Sequence, residues 1–214
     1  TKIRRKEDKI LVSLKVEEQK QKEVEASCVV NCLGPWSNKF LTSSDITPPH
    51  SAINNKGVHL VIKDMGLKCG LLLPNKKDNR IIFVLPWLGK TLIGTTEELF
   101  EGDPSKVRVE QKDIDYLLGA CNAYFKKTLK EDDIEQSFAG LRWLVAEKDS
   151  SISATTRESL IGENEIGKGL ILTIYGGKLT SYRSLAEKVG NRVVNHFGRS
   201  TKTGTKFKKN WFVV

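Results

Sequence analysis

The chain alternates between two hydrophobic periods. Ile10, Val12, Leu14 and Val16 alternate with mostly polar neighbours, the period of a half-exposed strand. Residues 17–23 are all charged or amide, and Val24-Glu25-Ala26-Ser27 starts a return. A hairpin is predicted, its second strand running into Cys28-Val29-Val30-Asn31-Cys32. That run is continuously apolar, as in a strand buried on both faces. It ends at Leu33-Gly34-Pro35-Trp36, where Gly34 frees the backbone and Pro35 suits a first helical position.

From Ile46 the pattern becomes strand-rich. Pro48 and Pro49 exclude a helix there. Strands are predicted over 56–62, 71–74, 80–87 and 91–96, with Leu88-Gly89-Lys90 as a turn. Ile114, Leu117, Leu118, Cys121 and Phe125 then mark an amphipathic helix of roughly four turns. Two more strands are expected at 137–145 and 151–161, carrying Arg142 and Arg157. Gly167-Lys168-Gly169 reads as a return hinge, and the apolar run Gly169 to Tyr175 as a buried strand. Tyr182, Leu185, Ala186, Val189, Val193 and Phe197 share one helix face beyond it.

This order predicts an α+β chain in which one lobe interrupts another. Residues 1–45 and 167–197 would form α/β pieces of the first lobe, 46–166 a mixed or antiparallel β lobe with one helix, and 198–214 a basic tail. No repeat or low-complexity segment occurs. With 39% hydrophobic residues among 214, the chain has material for a real core. The net charge of +9 is uneven: +5 lies in 198–214, +2 in 1–27 and only +2 in the body between. The tail reads as a solvated terminus, with contact to anionic lipid or nucleic acid as the alternative. Cys28, Cys32, Cys69 and Cys121 lack metal-ligand spacing and read as reduced, mostly buried thiols; no metal is expected. No run approaches the ~18 apolar residues of a spanning helix.

Candidate chemistry concentrates in a few places. Gly176-Gly177-Lys178-Leu179-Thr180 sits at a strand-to-helix turn, where glycines admit a ligand to the backbone and a helix start offers N–H groups to negative charge. Lys178 adds a cation; an ordinary turn with a solvated lysine is the alternative. Arg142 and Arg157 lie in predicted strands, where arginine is costly to bury without an anion. With Lys178 they would make a cationic site for phosphate or carboxylate. Otherwise Arg157 is exposed and Arg142 pairs with a carboxylate such as Glu135. His59 stands alone in a strand, more often a structural than a catalytic setting. There is no Walker loop, G-x-G-x-x-G, G-x-S-x-G or H-E-x-x-H.

Six segments together carry a resemblance. They are Val29 to Trp36, Lys56-Gly57-Val58-His59-Leu60, Ile82 to Trp87, Thr91-Leu92-Ile93-Gly94-Thr95-Thr96-Glu97, Gly140-Leu141-Arg142, and Gly176 to Arg183. In this order and spacing they resemble FAD-dependent glycerol-3-phosphate dehydrogenase, from about Val24 to Phe197. The resemblance implies a partial D-amino-acid-oxidase-like FAD/NAD(P)-binding fold. It implies FAD as cofactor, oxidation of glycerol 3-phosphate to dihydroxyacetone phosphate, and electrons passed to a membrane quinone. It further implies a membrane-associated place: the mitochondrial inner membrane in a eukaryote, the cytoplasmic face of the cell membrane in a bacterium. Matched residue by residue, Arg142, Arg157 and Lys178 correspond to the family's substrate site. Gly34, Pro35, Trp36, Gly176, Gly177, Lys178, Leu179 and Thr180 correspond to its cofactor-facing turns. His59, Lys178 and Arg142 carry the catalytic expectation, with His59 taking the hydroxyl proton or Lys178 binding the forming carbonyl oxygen.

Some positions depart from the family: Leu33 for a small residue, Val58 for serine, Trp143 for proline and Glu97 for aspartate. Two family parts have no counterpart in these 214 residues: the opening βαβ unit that grips the FAD pyrophosphate, and the helical C-terminal domain. The stretch therefore reads as a fragment, the middle and end of an FAD/substrate core, not expected by itself to bind FAD tightly or turn over. Alternatives are an oxidase returning electrons to oxygen, a non-catalytic phosphate-binding or interaction domain, and a basic nucleic-acid binder. The last lacks an aromatic-interleaved groove, so nucleic acid is not an expected partner.

Overall fold

A computed structural model describes residues 2–15, 21–146 and 158–199. The described residues divide into two compact units: 2–15, 21–52, 144–146 and 158–199 form the first, 53–143 the second.

In the first unit, β1 (Lys2–Lys6), β2 (Lys9–Lys15) and β3 (Gln21–Ala26) make an antiparallel sheet. β4 (Cys28–Asn31), β11 (Leu160–Ile166) and β12 (Gly169–Tyr175) make another, ordered β11-β12-β4, with β12 and β4 parallel. α1 (Ser37–Thr42) and α3 (Tyr182–His196) each follow a short 3-10 turn. Ile3, Ile10, Leu41 and Ile171 form the core that joins the two sheets. Burying each such side chain contributes about 1.5–3 kcal/mol.

In the second unit one sheet runs β10-β5-β8-β7-β6, with β9 pairing on β5. Its strands are β5 (Ala52–Ile62), β6 (Leu71–Pro74), β7 (Ile81–Trp87), β8 (Lys90–Gly94), β9 (Glu98–Leu99) and β10 (Ile134–Val145). Alternation puts Val58, Leu60, Ile62, Ile82, Val84 and Ile93 on one face. They pack against Leu117, Leu118 and Cys121 of α2 (Gln111–Asn122). The opposite face is left for His59 and its neighbours. Among the described residues no helix is long and apolar enough to cross a membrane.

Several expectations change. β1 is an unforeseen strand, since Ile3 is the only apolar residue among its charges. Of the strand expected at 151–161, residues 151–157 lie outside the described residues, and a strand is seen over Leu160–Ile166. The polar run Glu163-Asn164-Glu165 in its middle hid it. Gly167 is the turn of the β11–β12 hairpin within one sheet, not a link between lobes. The Pro48-Pro49 segment also belongs with the first unit. Asn164 donates to the Thr47 carbonyl (3.0 Å), and the His50 ring meets Tyr175 edge-on. Phe125 lies past the end of α2. β4 is not buried on both faces: Val30 is 43% exposed. Of the four thiols Cys121 alone is buried, where burial pushes it up to about 12; Cys32 and Cys69 are exposed. The basic tail from 200 onward lies outside the described residues.

Candidate active site

On the α2-free face of the second unit's sheet, Arg142 projects from β10 across the backbone of β5. A Cβ on Gly57 would stand 2.8 Å from Arg142 Nη1 and 2.7 Å from Thr95 Oγ1, so the guanidinium fork lies where only glycine leaves room. Arg142 donates to Thr95 Oγ1 (3.3 Å) and Asn55 Oδ1 (3.5 Å), and Glu97 Oε1 stands 4.0 Å from Nη1. These are long contacts. They orient the fork, and its side chain remains 29% exposed. Glu97 also faces Arg80, whose Nη1 donates to the Glu97 carbonyl at 2.8 Å. Glu135, the carboxylate suggested by sequence as the partner of Arg142, pairs with Lys90 instead.

His59 lies two residues along β5 from Gly57 on the same face, about 7 Å away at strand rise. Leu72, Phe83, Gly94 and His59 fall in register across β6, β7, β8 and β5. A Cβ on Gly94 would overlap the His59 ring, so that glycine makes space for the imidazole. Phe138 of β10 stacks on the ring with centroids 5.0 Å apart and planes 13° apart. Burial, and then the nearby Arg142 charge, hold His59 below the ordinary imidazole range. Among the described residues none hydrogen-bonds its ring nitrogens. The result is an imidazole biased toward its neutral form beside a cation.

The glycine turns belong to the first unit. Because β4 and β12 are parallel neighbours, Gly34-Pro35-Trp36 and Gly176-Gly177-Lys178 both leave the carboxyl edge of that sheet. Such an edge is where open α/β sheets receive ligands. Asn31 ties the strand ends together: its Nδ2 donates to Thr173 Oγ1 and the Ser37 carbonyl, both at 3.3 Å, and its Oδ1 accepts from Leu33 N–H. Gly34 (φ 55°) and Gly177 (φ 102°) take left-handed conformations. Space where a Gly34 Cβ would stand is open, and Leu179 is 89% exposed. Lys178 is exposed in extended backbone ahead of the Leu179–Ser181 turn, followed by α3.

The two sets of predicted residues thus separate. Arg142 and His59 share one sheet face; Gly34, Pro35, Trp36, Gly176, Gly177, Lys178, Leu179 and Thr180 share one strand edge. Arg157 lies outside the described residues. Sequence reasoning passed over Asn31, Asn55, Thr95 and Phe138. Asn31 is the polar interruption of an apolar strand, which was a usable signal. Phe138 precedes Arg142 by four residues, on the same strand face, and looked like an ordinary sheet residue.

The FAD dependent oxidoreductase model, DAO, matches residues 1–183. Aerobic glycerol-3-phosphate dehydrogenase of Escherichia coli K12 is 35% identical over 176 residues, covering 81% of this chain and 35% of that protein. D-erythritol 1-phosphate dehydrogenase of Brucella abortus is 36% identical over 174 residues, 80% of this chain and 35% of that protein. The chain therefore spans about a third of the length of these relatives. Among solved structures, glycerol-3-phosphate dehydrogenase of Bacillus halodurans complexed with FAD aligns over 96% of this chain and 40% of its own. That alignment has a TM-score of 0.82 and 30% identity. Glycine oxidase of Geobacillus kaustophilus, at 16% identity and TM-score 0.56, shares the fold alone. With the match running through nearly all of the chain ahead of α3, the protein belongs to the DAO family of FAD dependent oxidoreductases.

Proposed function

We propose that this chain carries the flavin-facing turns and the substrate sheet of an enzyme oxidising glycerol 3-phosphate to dihydroxyacetone phosphate. The observation that carries this reading is the Arg142 fork held over Gly57, one strand repeat from a neutral His59. Guanidinium forks suit phosphate dianions, which accept two parallel N–H bonds. A phosphate on Arg142 replaces the long contacts to Thr95 and Asn55 and leaves the adjoining carbinol within reach of His59. His59 then takes the hydroxyl proton, its depressed basicity matching a proton that must be released again. Lys178 and Arg157 enter this proposal through the resemblance alone, as further substrate-site cations.

FAD fits the first unit's strand edge. Gly34 opens space over the backbone, and the exposed Leu179-Thr180 start of a helical turn presents N–H groups to an electron-rich ring. Gly34, Pro35, Trp36, Gly176, Gly177, Lys178, Leu179 and Thr180 would hold it. Bound FAD supplies the hydride acceptor. Quinone as the onward acceptor, and with it a place at the mitochondrial inner membrane or the cytoplasmic face of a bacterial cell membrane, belongs to the same proposal. So does the inability of these 214 residues to turn over by themselves, which the one-third coverage of the relatives supports. The similarity to the Brucella abortus enzyme favours a second reading with a four-carbon polyol phosphate, bound through the same phosphate anchor.

Binding therefore provides the test. Calorimetric titration of the chain with glycerol 3-phosphate and with D-erythritol 1-phosphate ranks the two substrates. Arg142→Ala is expected to weaken either by about 10–100-fold, the worth of charge-assisted hydrogen bonds, while the visible spectrum with FAD is unchanged. Equal affinity in the variant removes the assignment.

A further inference from the structure

We propose that Phe138 is a positioning residue for His59, clamping the imidazole against the Gly94 backbone so that a substrate hydroxyl meets it at the nitrogen-bearing rim. The inference rests on His59 being the proton acceptor of the proposed reaction.

β5 lies between β10 and β8, so Phe138 and Gly94 flank the His59 ring from opposite sides. The near-parallel stack at 5.0 Å covers one side, and the missing Cβ of Gly94 lets the ring settle on the other. A half-exposed phenylalanine gains little from its own burial, since 51% of its surface still faces solvent. What it does gain is the ring contact. Without it the imidazole, which takes no hydrogen bond from any described residue, would be free to turn about its side-chain torsions. The clamp therefore supplies the orientation that a second hydrogen bond provides in other general bases.

Phe138 also withholds water from the ring, and burial is the larger cause of the depressed His59 basicity. Among the described residues Arg142 from β10 is the charged group facing His59, with Glu97 beyond it paired to that arginine. Lys56 projects to the opposite face, toward Asp113.

An NMR pH titration of the histidine ring protons in the full chain tests the clamp, with His59→Asn to assign the signal. Phe138→Ala is expected to move the His59 midpoint upward toward the ordinary imidazole value. Phe138→Tyr, which keeps the flat face, is expected to hold it in place. His50 and His196, which meet the rings of Tyr175 and Phe197, are the other two histidine signals to be told apart from it. Should Phe138→Ala fail to fold, Phe138→Leu covers less of the ring and is expected to move the midpoint the same way by less. An unchanged midpoint overturns the clamp. So does a lowered one, because an imidazolium–ring attraction would then outweigh exclusion of water. Glycerol 3-phosphate added to the unsubstituted chain separates the two ideas. A silent His59 signal there defeats the proposed reaction and leaves the clamp standing.

Discussion

Arg142 and His59 each lie against a glycine of a neighbouring strand, so both side chains depend on a Cβ that is not there. Gly57→Ala would put a methyl group 2.8 Å from Arg142 Nη1 and force the fork off the strand. Overpacking of this kind costs about 1–3 kcal/mol, and the displaced donors should also weaken glycerol 3-phosphate binding about tenfold. Urea denaturation and calorimetry measure the two effects separately; a variant that binds like the parent shows that the fork does not hold the phosphate. The neutral state of His59 has its own signature in stability. Its basicity is depressed on folding, by burial first and by Arg142 second. The unfolded chain therefore binds the proton more tightly, and stability rises with pH through the window just below about 6.5. That contribution is fully present above the unfolded value and is lost as pH falls through the folded one. His59→Asn should flatten that part of a denaturation series, and an unaltered slope would show that the ring is as hydrated folded as unfolded.

At the scale of elements, α2 is tied to the sheet by charge as well as by its apolar stripe. Lys56, 3% exposed, lies within 3.0 Å of Asp113, 3.1 Å of Glu110 and 3.2 Å of Glu98. Asp113 closes the capping box of α2 through the Glu110 N–H (2.9 Å). Burial pulls the lysine ammonium down, but hydrogen bonds to the three carboxylates outweigh it and raise it. Lys56→Met leaves Asp113 buried and unpaired, so a loss of about 3–5 kcal/mol is expected in urea denaturation. Glu98 and Glu110 are held below the ordinary glutamate range, by their hydrogen bonds to Lys112 first and Lys56 next. Their support is present above about pH 4.5 and lost as pH falls through the depressed values, so acid should loosen α2 less in the variant than in the parent. The helix itself was legible, because Ile114, Leu117, Leu118 and Cys121 repeat at the helical period. β5, β7 and β8 were legible for the same kind of reason, being apolar on the α2 side. β1 and β11 escaped because each is an outer strand of its sheet, where charged residues face solvent and little alternation survives. The ion cluster escaped too: Lys56 stood in a recognisable motif, yet its partners are 42 to 57 residues away and nothing local announces them.

Across the whole molecule, each compact unit has its own core, one around Ile10, Leu41 and Ile171 and the other between α2 and β5, β7 and β8. The candidate residues follow that division, which the order of motifs along the chain conceals: the glycine turns come from both ends of the sequence, and the sheet face with Arg142 and His59 from its middle. Paired residues of β4 and β12 lie 142 positions apart in sequence, and their parallel pairing, with Leu170 opposite Cys28 and Thr173 opposite Asn31, is what brings the two glycine turns together. The resemblance made those turns identifiable, and Asn31 stands out as a polar interruption, but its partner Thr173 is fixed by the strand pairing and nothing near Asn31 announces it. A ligand stabilises the parts whose opening destroys its site, by about 2.7 kcal/mol at a hundredfold excess over Kd. FAD is therefore expected to slow amide hydrogen exchange in β4, β12 and the start of α3. Glycerol 3-phosphate is expected to slow it in β5, β8 and β10. Exchange measured residue by residue with each ligand alone reads the two effects independently. Protection by FAD confined to β5 and β8 would reverse the assignment of the units, since neither strand carries a cofactor-facing turn. Protection of β4 and β12 by FAD, with Arg142→Ala abolishing only the effect of glycerol 3-phosphate, would place the two ligands on separate units of one chain.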